Sequence, residues 1–218
     1  MNTSHYDLID NPSPRCPVAL VLDTSGSMAG GPIEELNAGI QVFIEEVKRD
    51  DLARWSVDLA VYTAGGSSDC IQEFLAVEQI AGFAPLYASG GTPLGAATRM
   101  ALNDLEMRKQ AYKEAGVPYY QPWLVLISDG APTDNWHDAA QLASSLAAQR
   151  KLVSLPIGVQ EADLSVLSQF SNKPAVALNG IKFRELFLWL SASMARVSAS
   201  TSSDASVQLP SIDSWASI

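Results

Sequence analysis

Cysteine and histidine are almost missing from this 218-residue chain, which holds two of each. Cys16 and Cys70 form no Cys-x-x-Cys pair and have no histidine cluster near them. A disulfide framework or a zinc site is therefore not expected, and both read as free, mostly buried thiols. Basic residues are scarce as well: 14 Lys and Arg stand against 24 Asp and Glu, a formal net charge of −10. That balance argues against nonspecific binding to nucleic acid or anionic membrane, which needs a basic footprint, and suits basic or cationic partners. Long apolar runs are absent too; they reach about eight residues, against the ~20 needed to span a bilayer. Residues 1–15 are polar, carry Asp7 and Asp10 and lack the apolar centre of a secretion signal. A cytoplasmic protein is expected.

Catalytic signatures are equally thin. Gly90-Gly91-Thr92 lacks the lysine that a phosphate-cradling P-loop requires. No Gly-x-Ser-x-Gly elbow surrounds Ser25 or Ser27. His5 lies in the polar N-terminal segment and His137 opens a helical stretch, and both read as surface residues.

What the chain does have is an ordinary globular balance, 47% apolar and 17% charged residues. Apolar runs at residues 18–22, 57–62, 123–127 and 152–159 are nearly continuous, as in strands covered on both faces. Helical spacing fills the gaps at residues 33–48, 93–115, 134–150 and 182–197. Thr92-Pro93 reads as a cap followed by a first helical residue, and Asp134-Asn135 as the cap of the next helix. A short antiparallel edge strand is expected near residues 70–74, a short helix at 163–170 and a last strand at 175–178. The alternation predicts an α/β fold, a single doubly wound, mainly parallel sheet flanked by helices. An N-terminal segment (1–16), one domain (17–197) and a Ser-rich C-terminal tail (198–218) follow from composition. Within the tail, Leu209, Ile212, Trp215 and Ile218 recur every third residue, either to pack back on the domain or to dock another protein. The Ser/Thr run at 198–206 would accept phosphate if a kinase is a partner.

The most specific signal follows the first strand. Asp23-Thr24-Ser25-Gly26-Ser27 offers one carboxylate and two hydroxyls at alternate positions of a Gly-containing turn. Asp129 ends the strand-like run 124–128, and Thr92 sits in the loop Gly90-Gly91-Thr92-Pro93-Leu94-Gly95. In a doubly wound sheet, such strand ends meet where the strand order reverses. Mg²⁺ takes oxygen ligands in near-octahedral geometry and keeps several waters. A set of mostly neutral oxygens would hold it while leaving it short of negative charge.

Asp23-x-Ser25-x-Ser27, then Thr92, then Asp129 resembles the metal-ion-dependent adhesion site of von Willebrand factor A domains. The resemblance runs from about residue 17 to about residue 197 in order, loop type and spacing. It implies that Ser25 and Ser27 bind the ion directly. Asp23 would act directly or through water, Thr92 would switch between the two, and Asp129 would hold a bridging water. It further implies capture of an Asp or Glu side chain of another protein, with no catalysis. The sequence around Asp23–Met28, Gly91–Gly95 and Asp129-Gly130-x-Pro132-Thr133-Asp134 looks like the bacterial tellurite-resistance-associated (TerY-type) branch. That branch implies a stress-response complex linked to a protein kinase and a protein phosphatase. The ion is expected to be Mg²⁺, with Mn²⁺ suited to the same oxygens. Met28, Gly91 and Asp134 are the expected partner-binding rim, although Met28 also reads as a plain connector. A metal-dependent phosphoryl-transfer hydrolase is the alternative. It needs a second Asp two positions after the first, where this chain has Ser25.

Overall fold

Eight consecutive residues, Cys16–Asp23, form a strand (β1) with every residue buried, because β1 is flanked by strands on both edges and helices on both faces. The computed structural model describes residues 11, 13–129, 132–200, 207–213 and 215–217. Expectations for His5, Gly130, residues 201–206 and Ile218 fall outside the described residues.

The sheet continues with β2 (Val57–Gly65), β3 (Ser67–Ala76), β4 (Trp123–Ser128), β5 (Val153–Gly158), β6 (Val176–Leu178) and β7 (Ala216–Ser217). Their order is β3-β2-β1-β4-β5-β6-β7. All neighbouring pairs from β2 to β6 are parallel, and the edge strands β3 and β7 are antiparallel. The doubly wound, mainly parallel α/β sheet read from the sequence is thus present, with strand order reversing beside β1.

Period-two alternation sorts β1 and β2 onto two layers. Val18, Leu20, Leu22, Leu59 and Val61 face helices α1 (Gly31–Arg49) and α4 (Phe183–Ser198). Ala19, Val21, Ala60 and Ala64 face α2 (Leu94–Ala115) and α3 (His137–Ala148), which answer with Ala97, Ala101, Ala139 and Ala143. Small side chains on both surfaces let the second layer approach the sheet closely. The large aliphatic ones on the first layer each contribute roughly 1.5–3 kcal/mol by leaving water.

Element ends differ from the sequence reading in ways the structure explains. The edge strand β3 runs ten residues, further than 70–74, because β2 offers a free edge along its length. The expected 163–170 helix is one turn, Leu164–Leu167, followed by a 3₁₀ turn, with Asp163 accepting from the amides of Ser165 and Val166. Of the two readings open for the apolar residues in the Ser-rich tail, packing back on the domain is the one found: Leu209 and Ile212 pack against the core, Trp215 is fully buried against Trp189, and Ala216 pairs with Leu178. The Trp189 indole also donates to the Pro210 carbonyl at 2.9 Å, which straps the chain end across α4. No helix among the described residues is long and apolar enough to cross a membrane.

At the end of the sheet where β1 and β2 begin, a buried ionic cluster escaped the sequence reading. Asp58 accepts from Arg15 Nη1 at 2.9 Å, from Arg108 Nη2 at 2.6 Å and from the Tyr112 hydroxyl at 2.5 Å. The Arg15 and Asp58 side chains are fully buried, and Arg108 is 4% exposed. Burial pushes the Tyr112 phenol well above its ordinary range, and the Asp58 charge adds to that. Removing the single carboxylate strands two guanidinium groups in a low-dielectric interior. Asp58→Ala is expected to lower unfolding stability by about 3–5 kcal/mol in a denaturant titration. Glu46→Gln, at the half-exposed Arg49 pair on α1, is expected to change it by less than about 1 kcal/mol.

Candidate metal centre

Asp23 is the last residue of β1, and parallel pairing brings it level with the end of β4. Its Oδ2 accepts from the Ser128 hydroxyl at 2.6 Å, and its Oδ1 accepts from the Ser25 amide at 2.8 Å. Both carboxylate oxygens are therefore oriented before any ligand arrives. A 3₁₀ turn over Gly26–Met28 then brings the Ser25 and Ser27 hydroxyl oxygens 3.0 Å apart. Ser25 is nearly buried and Ser27 is exposed, so the pair sits at the floor of the surface.

Backbone hydrogen bonds stitch this turn to the loop that carries Thr92. The Ser89 amide donates to the Thr24 carbonyl at 2.8 Å, and the Gly26 amide to the Gly90 carbonyl at 2.9 Å. Gly90 has φ +66°, and a Cβ there would fall 2.5 Å from Gly66 Cα, so a side chain would force the loops apart. Thr92 is 5% exposed. Its backbone N–H donates to Thr133 Oγ1 at 3.0 Å, and its carbonyl accepts from the Thr133 amide at 2.9 Å. The loops after β1 and β4 and the loop before α2 thus meet at one place.

Thr92 does not cap α2 with its side chain, contrary to the sequence reading. The cap comes from across the site: Asp134 accepts from the amides of Gly95 at 3.1 Å and Ala96 at 2.7 Å. These are orphan donors of the first turn of α2, where a carboxylate also complements the helix dipole. Asp134 is consequently not the cap of its own helix, α3, which begins at His137. No local pattern could show this, because donor and acceptor lie 38–39 residues apart.

Asp129 stands directly after β4. Its Oδ1 is buried and has no hydrogen-bond partner among the described residues. Such an atom carries a desolvation cost that a cation would relieve. Burial raises the Asp23 carboxyl from its ordinary value, the bonds from Ser128 and Ser25 pull it back, and the Asp129 charge pushes it up again. Two acids repelling each other beside the Ser25 and Ser27 hydroxyls offer all-oxygen surroundings of the kind that suits a hard divalent ion, and the backbone of Thr92 is tied into the adjoining loops. Among the described residues no cluster of three or more His, Cys, Asp or Glu side chains exists. The Ser25 and Ser27 hydroxyls would supply further side-chain oxygens, with Thr92 in the adjoining loop.

The rim residues divide. Met28 is corrected outright: the 3₁₀ turn rotates it inward, and it is 0% exposed within the apolar cluster beneath α1 and α4. Gly91 is exposed, with its carbonyl accepting from the Gly66 amide at 2.8 Å. Asp134 is half-buried and engaged with α2. Sequence reasoning missed the role of Ser128, whose position next to Asp129 gave no sign that it reaches Asp23. Asp134→Ala is expected to cost roughly 0.5–2 kcal/mol in denaturant unfolding through loss of the α2 cap.

The sequence profile of the von Willebrand factor type A domain matches residues 18–186. No curated protein sequence shows significant similarity to the chain. Among solved structures, the pilus adhesin SpaC from Lactobacillus rhamnosus GG is similar in fold, with TM-score 0.69 and 12% identity over 84% of this chain and 30% of that one. Manganese-loaded TRAP protein of Plasmodium vivax gives TM-score 0.58 and 16% identity over 81% of this chain and 73% of that one. Proximal thread matrix protein 1 from the mussel byssus, solved with a zinc-occupied metal-ion-dependent adhesion motif, gives 0.54 and 15% over 83% and 47%. The chain spans less than half of the mussel and pilus structures. Domains of this type are generally interaction and adhesion modules, often metal-dependent. On the profile match over most of its length, the chain belongs to the von Willebrand factor type A domain family.

Proposed function

We propose that the chain is a divalent-cation-dependent protein-capture domain, with Asp23, Ser25, Ser27, Thr92 and Asp129 holding the ion. The observation that carries this reading is the buried, unpartnered Asp129 Oδ1 beside a desolvated Asp23. Mg²⁺ or Mn²⁺ bound there would supply a Lewis-acidic position able to take one carboxylate from another protein. Ser128 and the Ser25 amide fix the Asp23 oxygens, so little ordering remains to be done on binding. Ser25, Ser27 and Thr92 add oxygens without charge, which leaves a bound divalent ion short of neutralisation. Ser25 also stands where a phosphoryl-transfer site would carry its second acid, which favours capture over hydrolysis. The manganese and zinc present in the TRAP and mussel structures support a divalent ion at an equivalent motif here.

The partner class is an Asp or Glu side chain on another protein. A cytoplasmic stress-response complex of the tellurite-resistance type, with a kinase or phosphatase as the partner, is the setting that the motif resemblance supports. Phosphate on the 198–206 Ser/Thr run would fit that setting.

Thermal unfolding in Mg²⁺ or Mn²⁺ against EDTA tests the site. An ion at about 100 times its Kd adds ~2.7 kcal/mol of stability. That is roughly 5–10 °C in Tm for a chain of this size. Asp129→Ala and Asp23→Ala are expected to abolish the metal-dependent shift. An unchanged Tm at millimolar metal in the unmodified chain overturns the reading.

A further inference from the structure

One large side chain in the loop that leads to Thr92 is left outside the core, and its surroundings define what it can do. Tyr87 is 81% exposed, the most exposed large hydrophobic residue among those described. It is not a loose loop tip. Leu86 and Ala88 on either side pack against the main apolar cluster. The Leu86 backbone is clamped by Asn37, which accepts from its amide at 2.8 Å and donates to its carbonyl at 2.9 Å. Two residues beyond Tyr87, the Ser89 amide donates to the carbonyl of Thr24, the residue that follows Asp23. Tyr87 is thus presented outward from backbone fixed on both sides and tied directly to the cation-binding turn.

Two exposed acids stand on the elements that brace this loop. Glu34 precedes Asn37, the residue bonded to the Leu86 backbone, by three residues on α1, and Asp69 lies three residues along from Gly66, whose backbone approaches Gly90. A strongly acidic partner would be repelled there, and the chain's net charge of −10 adds to that.

We propose that Tyr87 is the specificity anchor of the capture site. It recognises a protein segment that carries a single carboxylate for the cation, an apolar side chain beside it and Lys or Arg further out. This rests on the capture reading above. A tyrosine with its backbone already fixed gives large contact area at low entropic cost. The basic residues of the segment answer Asp69 and Glu34.

Heptapeptides displayed on phage, each with a fixed central Asp or Glu, would be selected on the full chain in Mg²⁺ and in EDTA. The expected result is Mg²⁺-dependent enrichment of an apolar residue next to the acid and of Lys or Arg at the ends. Tyr87→Ala is expected to lose the apolar preference and weaken the best peptide about tenfold or more, while Tyr87→Phe retains it. The Tyr87→Ala chain should keep the unmodified chain's Tm and its Mg²⁺-dependent shift, which separates anchoring from folding and from ion binding. Mg²⁺-dependent enrichment that is identical for Tyr87→Ala overturns the anchor alone. Enrichment equal in Mg²⁺ and EDTA overturns the capture reading, and the anchor with it.

Discussion

A carboxylate held in the interior at the end of a fully buried strand is the constraint around which this molecule is arranged. Asp23 is 0% exposed, and burial works against its charge. The fold compensates with two donors, one from the next strand over and one from its own turn. The Ser128 bond needs β4 beside β1, and that adjacency exists because the chain crosses over after β3 and returns on the far side of β1. The strand order and the setting of Asp23 therefore have one origin.

The sheet carries a second buried carboxylate at its other end, and the contrast is instructive. Asp58 is saturated by two guanidinium groups and a phenol, all intramolecular, and it closes the base of the fold. Asp23 is met by neutral donors from Ser128 and Ser25, and its acidic neighbour Asp129 keeps a buried oxygen with no partner among the described residues. At one end of the sheet the carboxylate is met on both oxygens by cationic and phenolic donors. The other is a site that a cation would complete, and the surrounding loops are braced by backbone hydrogen bonds and by the Asp134 cap on α2.

Much of the fold was legible because its signals are local. Continuous apolar runs marked β1, β2, β4 and β5, and helical spacing marked α1 to α4 to within a few residues. That Asp23 and Asp129 stand at the ends of neighbouring strands was legible from the apolar runs that precede them. Less legible was anything that depends on where a turn points. Met28 follows the metal loop and could be read as an exposed contact, yet one 3₁₀ turn sends it into the core. The spacing of Leu209, Ile212 and Trp215 left packing back and docking both open, and only the bulk of Trp189 and the open edge of β6 decided for packing back.

The sequence by itself determined the α/β alternation and the hard-oxygen chemistry of the loops, because strand burial and ligand type are properties of short stretches. Only the tertiary structure decided which donors serve which acceptors. Ser128 reaches Asp23 across 105 residues, Arg108 reaches Asp58 across 50, and Asp134 reaches Ala96 across 38. The physical reason is common to all three. A buried charge must be met by whatever the fold brings within hydrogen-bond distance, and that distance is set by the packing of the whole sheet.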